Sequence, residues 1–244
     1  MNSRRLLLDA GNTRLKWAVV EDGSWLEQGS TLYCDLLAFT RILDPHTTCY
    51  IASVVRTQHE AQLTVLLESY SISPIWLTTE STFSDVSNTY LNPRQLGVDR
   101  WMGLLASRQR SQVATLVVSV GTAMTVDALS NEGEFLGGLI VPGMVMMQRA
   151  LQQGTSNVAE VNGTLQAFPR TTADAVQSGI IAALCGAVQR QFVHLTEVAG
   201  KPPRVILTGG DAEALLPFLD LQVELVPLLV LEGMERVTRE GELQ

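Results

Sequence analysis

Lysine is nearly missing from this chain: Lys16 and Lys201 stand against 15 arginines. Acidic residues outnumber basic ones, 25 to 17, for a formal net charge of −8. That balance argues against non-specific binding to nucleic acid or to an anionic membrane, because phosphate surfaces call for a basic face. The three cysteines, Cys34, Cys49 and Cys185, are far apart and odd in number, so buried reduced thiols in a cytoplasmic protein are expected. The three histidines, His46, His59 and His194, fall in no metal-ligand spacing. No apolar run is long enough to span a bilayer, and Asp9 interrupts the N-terminal leucines too early for a signal peptide. The common nucleotide and hydrolase signatures are missing too: GxxxxGK[ST], GxGxxG, the HRD–DFG pair and GxSxG.

Hydrophobic residues make up 46% of the 244, enough for a sizeable core. Strand-like and helix-like segments alternate. RLLLDAG (5–11), LKWAVVED (15–22), CYIASVV (49–55), SPIWLTT (73–79) and TLVVSVG (115–121) read as strands, and 57–69, 96–110 and 172–200 as helices. RVILTGGDAEALL (204–216) reads as strand, glycine turn and helix. The pattern also repeats. LLLDAGNTRLKWAVVEDG (6–23) overlays LVVSVGTAMTVDALSNEG (116–133) without gaps, matching Gly11 to Gly121 and Gly23 to Gly133. Each half is therefore expected to open with a β-hairpin whose turn holds glycine and short polar side chains.

Two such turns facing each other across a cleft would clamp phosphate, since glycine lets backbone N–H groups approach its oxygens. Asn12, Thr13, Thr122 and Thr125 can add side-chain donors. Asp9, at a strand end, suits Mg²⁺, which prefers carboxylate and water oxygens. Lys16 can meet a terminal phosphate. Gly209 and Gly210 would let a purine or ribose lie close to the backbone. Tyr90, Gly97, Asp99 and Arg100 fall in or beside one loop before a helix. There Asp can act as acid–base and Arg can hold a carboxylate with two hydrogen bonds. A plain helix N-terminus is the alternative reading of the same residues.

With these blocks in place, the chain resembles the type III pantothenate kinases of the actin-like (acetate and sugar kinase, heat-shock protein) superfamily. The likeness rests on DAGNTRLK (9–16), GVDRW (97–101), VGTAMTVD (120–127), GGLIVPGM (137–144), TTADAVQSG (171–179) and LTGGDAE (207–213). It implies an α/β fold of two duplicated actin-like (ribonuclease H-like) half-domains, residues 1–112 and 113–244, with a nucleotide cleft between them. It further implies ATP and pantothenate as substrates, Mg²⁺, a cytoplasmic homodimer, and no nucleic acid or membrane partner. Transferred by position, Asp9, Ala10, Gly11, Asn12, Thr13, Arg14, Leu15 and Lys16 form a first phosphate motif and Thr122 belongs to a second. Gly209 and Gly210 lie in the adenosine motif. Tyr90, Gly97, Val98, Asp99, Arg100 and Thr172 resemble the pantothenate contacts, with Asp99 the base.

One departure stands out. The second phosphate motif commonly opens with Asp, the expected ligand of an activating K⁺ or NH₄⁺; here Ser119 occupies that position. A hydroxyl binds cations more weakly than a carboxylate, so weak dependence on a monovalent cation is expected. Met124, where Thr or Val is common, is a smaller change. Two other functions remain open to the sequence: another small-molecule kinase of the superfamily, and a regulatory factor that keeps the fold without the activity.

Overall fold

The computed structural model describes residues 4–55, 57–155 and 163–241. Residues 1–3, which head the segment read for a targeting signal, lie outside them. In chain order come β1 (Arg5–Ala10), β2 (Arg14–Glu21), β3 (Ser24–Leu32), a 3-10 segment (Tyr33–Ile42), β4 (Thr48–Ser53) and α1 (Thr57–Ser69). Next are β5 (Ile75–Trp76), β6 (Thr82–Phe83), β7 (Val86–Asn88) and α2 (Val98–Arg110). After them run β8 (Thr115–Val120), β9 (Ala123–Leu129), β10 (Glu134–Pro142), α3 (Met144–Gly154) and α4 (Thr172–Ala199). The chain ends with β11 (Arg204–Thr208), α5 (Ala212–Leu215), β12 (Val223–Leu225) and α6 (Leu229–Gly241). Packing divides it into two units, Met1–Arg110 with Leu228–Gln244, and Ser111–Pro227. The half-domains expected from the repeat gave the whole C-terminus to the second half; by packing, α6 belongs with the first.

Each unit carries the same mixed sheet. In the first the strand order is β3-β2-β1-β4-β5, and in the second β10-β9-β8-β11-β12. In both, the hairpin strands are antiparallel and the next two strands run parallel to the first. This is the α/β topology that the repeat and the resemblance lead one to expect. The gapless overlay, however, slips inside the hairpins. Ala10 pairs with Leu15 across a four-residue turn, whereas Val120 pairs with Met124 across three. A longer second connection makes up the difference. Glu21 and Ser24 flank the tight Asp22–Gly23 turn, while Leu129 and Phe135 flank residues 130–134. Gly23 and Gly133 come back into step, both with positive φ, at 79° and 88°. The counterpart of the Asp9–Lys16 pair is therefore Ser119 with Thr125, one residue short of what a gapless match gives.

Every residue of β1 is buried, as a strand covered on both faces must be. Side-chain alternation then sorts its residues. Leu6, Leu8 and Ala10 enter a core with Trp17, Phe39, Leu63 and Leu67. Arg5 and Asp9 take the opposite face, where α6 packs on β1. There Arg5 donates to Thr238 (3.2 Å) and pairs with Glu235 (3.6 Å). Helix α2 packs along α6 so closely that a Cβ at Gly233 would lie 1.9 Å from the Met102 carbonyl oxygen. Two 2.7 Å bonds between Arg110 and Glu232 fix that pair, and Arg236 donates to the Leu105 carbonyl (2.9 Å). In the second unit α4 lays Ile180, Ile181, Leu184 and Val188 against Leu116, Val118 and Val120. It ends at Gly200, left-handed at φ 71°, as the sequence predicts. The 73–79 segment forms a strand only at Ile75–Trp76. No described helix is long and apolar enough to cross a membrane.

Candidate active site

In the first unit the hairpin register sets Lys16 directly opposite Asp9. Asp9 is 8% exposed. Burial is the main reason its pKa rises to about 7; Lys16 pulls it down and Asp99 pushes it up. Three of the sequence-selected residues thus form one charge group. Asp99 reaches it from the first turn of α2, within the loop-to-helix segment where it was expected. Its own pKa is raised, again by burial first, against the lowering influence of the Arg100 N–H and the Arg100 charge. That N–H donates to Asp99 Oδ1 at 2.8 Å. Gly97 makes room for the carboxyl: a Cβ there would lie 2.6 Å from Asp99 Oδ1.

Arg100 is 7% exposed, lies over the Tyr90 ring (5.8 Å to the centroid) and donates to the Tyr90 hydroxyl (3.2 Å). Tyr90, Asp99 and Arg100 are therefore one neighbourhood, as the loop reading proposed. Beside Asp9 runs the turn Gly11–Arg14, closed by the Gly11 N–H on the Arg14 carbonyl (3.2 Å). Asn12, Thr13 and Arg14 are exposed; Asn12 Nδ2 reaches the Val54 carbonyl at 3.4 Å. A residue that sequence reasoning missed also touches this turn. The Tyr33 hydroxyl donates to the Gly11 carbonyl at 3.0 Å. Tyr33 lies in no motif and 22 positions away, so no local signal could have found it.

In the second unit two glycines press on the corresponding turn. A Cβ at Gly209, which has φ +102°, would lie 2.1 Å from the Val120 carbonyl oxygen, and one at Gly143 would lie 1.9 Å from that of Gly121. The Asp211 N–H also donates to Val120 O (3.0 Å), and the Gly143 N–H to Thr122 O (2.9 Å). The LTGGDAE turn, on Val120, and the start of α3, on Gly121 and Thr122, thus press on one hairpin turn, although no role for Gly143 was drawn from its motif. At Gly210 an added Cβ meets nothing within 4 Å, so its backbone lies open. Thr172 stands elsewhere in this unit, in a cavity of about 510 Å³ between α3 and α4 with Pro142, Met147, Leu151 and Val176. Ser119 pairs with Thr125 on one side and Thr208 on the other, so both of its direct strand partners carry hydroxyls.

The donor set limits the kind of metal that fits. Among the described residues, no cluster of three or more His, Cys, Asp or Glu could cage an ion. A single buried carboxyl, Asp9, with a second, Asp99, close enough to affect it, suits an ion that brings most of its ligands along as water and phosphate oxygens.

The family model described as type III pantothenate kinase matches residues 5–194. A type III pantothenate kinase from Thiobacillus denitrificans is 58% identical over 241 residues, covering 99% of each chain. Among solved structures, a chain from Campylobacter jejuni assigned to the Baf family of transcriptional activators superposes with TM-score 0.62 at 21% identity, over 98% of this chain and 100% of its own. A Sinorhizobium meliloti protein assigned as a 2-dehydro-3-deoxygalactonokinase gives 0.61 at 12% identity, over 97% and 98%. These two speak for the fold alone. The full-length identity to a curated kinase decides the rest: this chain belongs to the type III pantothenate kinase family, the enzymes that phosphorylate pantothenate in coenzyme A biosynthesis.

Proposed function

We propose that pantothenate phosphorylation by this chain runs on the Asp9–Lys16–Asp99 group of the first unit, with Asp99 as the base. The observation that carries this is the gathering of the buried Asp9 carboxyl, the half-buried Asp99 carboxyl that acts on it, and one of the chain's two lysines beside a glycine turn. The acceptor is a primary alcohol, a far weaker acid than a carboxyl group, so early deprotonation by Asp99 is excluded. Phosphoryl transfer has a loose transition state, and proton loss comes late. Asp99 first orients the hydroxyl in line with the γ-phosphorus and then takes its proton. Its raised pKa makes it a better base than an exposed aspartate and shifts the acid limb of activity upward. Arg100, held by Tyr90, binds the pantothenate carboxylate, and Thr172 contributes from the cavity it lines. Lys16 and the N–H groups of the turn at Gly11 stabilise charge on the transferring oxygens. Thr122 offers a further phosphate donor, and Gly209 and Gly210 leave space for the adenosine. Mg²⁺ carried on ATP would be held by Asp9, directly or through water, and would neutralise phosphate charge.

Asp99→Asn tests the assignment. It should cost about 10²–10⁴ in kcat with an unchanged circular dichroism spectrum. Near-native turnover would remove Asp99 from the role. The reading also includes a cytoplasmic homodimer. The exposed apolar side chains Ile140, Val145, Met146 and Leu151 of the second unit support such a contact, and light scattering on the eluted protein tests it. With Ser119 in the second phosphate turn, activity should respond weakly to K⁺ or NH₄⁺.

A further inference from the structure

The turn Gly11–Arg14 follows β1 and must hold its shape if its N–H groups are to meet a phosphate. We infer that Tyr33 is a positioning residue for this turn, holding the Gly11–Asn12 peptide through a hydrogen bond to the Gly11 carbonyl. The inference rests on the proposed phosphate role of that turn. β3 ends at Leu32, paired with Arg14 at the edge of the turn, so the next residue, Tyr33, is delivered over it. Its hydroxyl donates to Gly11 O at 3.0 Å. A trans peptide is planar, so its N–H points opposite to its C=O. A fixed Gly11 carbonyl therefore fixes the direction of the Asn12 N–H, on the side of the peptide away from Tyr33. The Gly11 N–H is already committed to Arg14 O, so Tyr33 secures the other end of that residue.

Tyr33 is itself held rigidly. Its ring stacks on His59, centroids 4.1 Å apart and planes 13° from parallel. Burial, with the nearby Asp9 and Glu60 carboxyls, pushes the phenol pKa further up, so the hydroxyl keeps the proton it donates. Glu60 in turn accepts from Ser53 (2.7 Å), the β4 residue paired with Ala10. Turn, tyrosine and helix α1 thus form one hydrogen-bonded and stacked assembly.

Tyr33→Phe removes the hydroxyl and keeps the stack. Kinetics of this variant are to be compared with Lys16→Ala, varying ATP and pantothenate separately. Tyr33→Phe should raise KM for ATP roughly 3- to 10-fold, the scale of one lost hydrogen bond. KM for pantothenate and the melting temperature should stay near wild type. If Lys16→Ala raises KM for ATP and Tyr33→Phe leaves it alone, the role given to Tyr33 is overturned while the phosphate turn stands. If neither variant changes it, the phosphate reading fails and this inference with it. Equal changes in both KM values with a lowered melting temperature would mean that Tyr33 serves only the fold, which also overturns the inference.

Discussion

Asp9→Asn should make the protein inactive and, without divalent metal, should gain on wild type in stability as pH rises. Burial raises the Asp9 pKa from 3.8 to about 7. The folded state then holds a proton that the unfolded chain releases near pH 4, so stability falls as pH climbs between those two values. Over the whole window three pH units correspond to on the order of 4 kcal/mol. Between about pH 5 and pH 8 the same linkage gives about 2.5 kcal/mol. Asparagine has no such titration. Any cost of burying the amide is the same at both pH values and cancels when the variant's advantage at pH 8 is compared with that at pH 5. At about 2–4 °C per kcal/mol for a chain of this size, the melting temperature of Asp9→Asn should gain about 5–10 °C on wild type between the two buffers. Differential scanning calorimetry in EDTA measures this. Added Mg²⁺–nucleotide should then raise the wild-type melting temperature at pH 8 more than that of the variant. An equal gap between the two proteins at both pH values would refute a buried, proton-holding Asp9.

Three glycine and ligand substitutions test the remaining geometry. Gly97→Ala places a methyl 2.6 Å from Asp99 Oδ1; kcat should fall at least about 10-fold, the cost of a displaced base, with the melting temperature little changed. Gly209→Ala meets both a left-handed φ and the Val120 carbonyl; denaturant titration should show a loss of about 2–4 kcal/mol, and the surviving fold should bind ATP more weakly. Ser119→Asp should turn the parent's weak response to K⁺ into a strong one, read as turnover in buffers with and without monovalent cations other than a bulky organic one; a steep K⁺ requirement in the parent would contradict the reasoning from Ser119.

The sequence displayed what local spacing encodes. Asp9 and Lys16 sit seven positions apart around a glycine turn, and a hairpin through that turn must bring them together. Asp99 and Arg100 open a helix whose first turn fixes their neighbourhood. Contacts set by the tertiary path were hidden. The pairing register depends on turn length, and one residue fewer at Gly121–Ala123 shifts the second hairpin against the first while the flanking glycines still align. Helix α6 has a strongly buried face, but nothing in its composition says which sheet it covers; Gly233 against Met102 is a steric fit visible only in three dimensions. Tyr33 belongs to the same class, because its partner lies across the hairpin rather than along the helix or strand that carries it.

The return of α6 to the strand that carries Asp9 makes the first unit discontinuous, with the second spliced into it. As the polypeptide leaves the ribosome, residues 111–227 are complete while the earlier-made segment still lacks its covering helix. The later-encoded unit can therefore mature first, and the strand that carries Asp9 stays without the helix that packs on it until α6 emerges. A chain cut after residue 227 would keep every residue proposed to touch a substrate and still leave Arg5 without Glu235 and α2 without its neighbour.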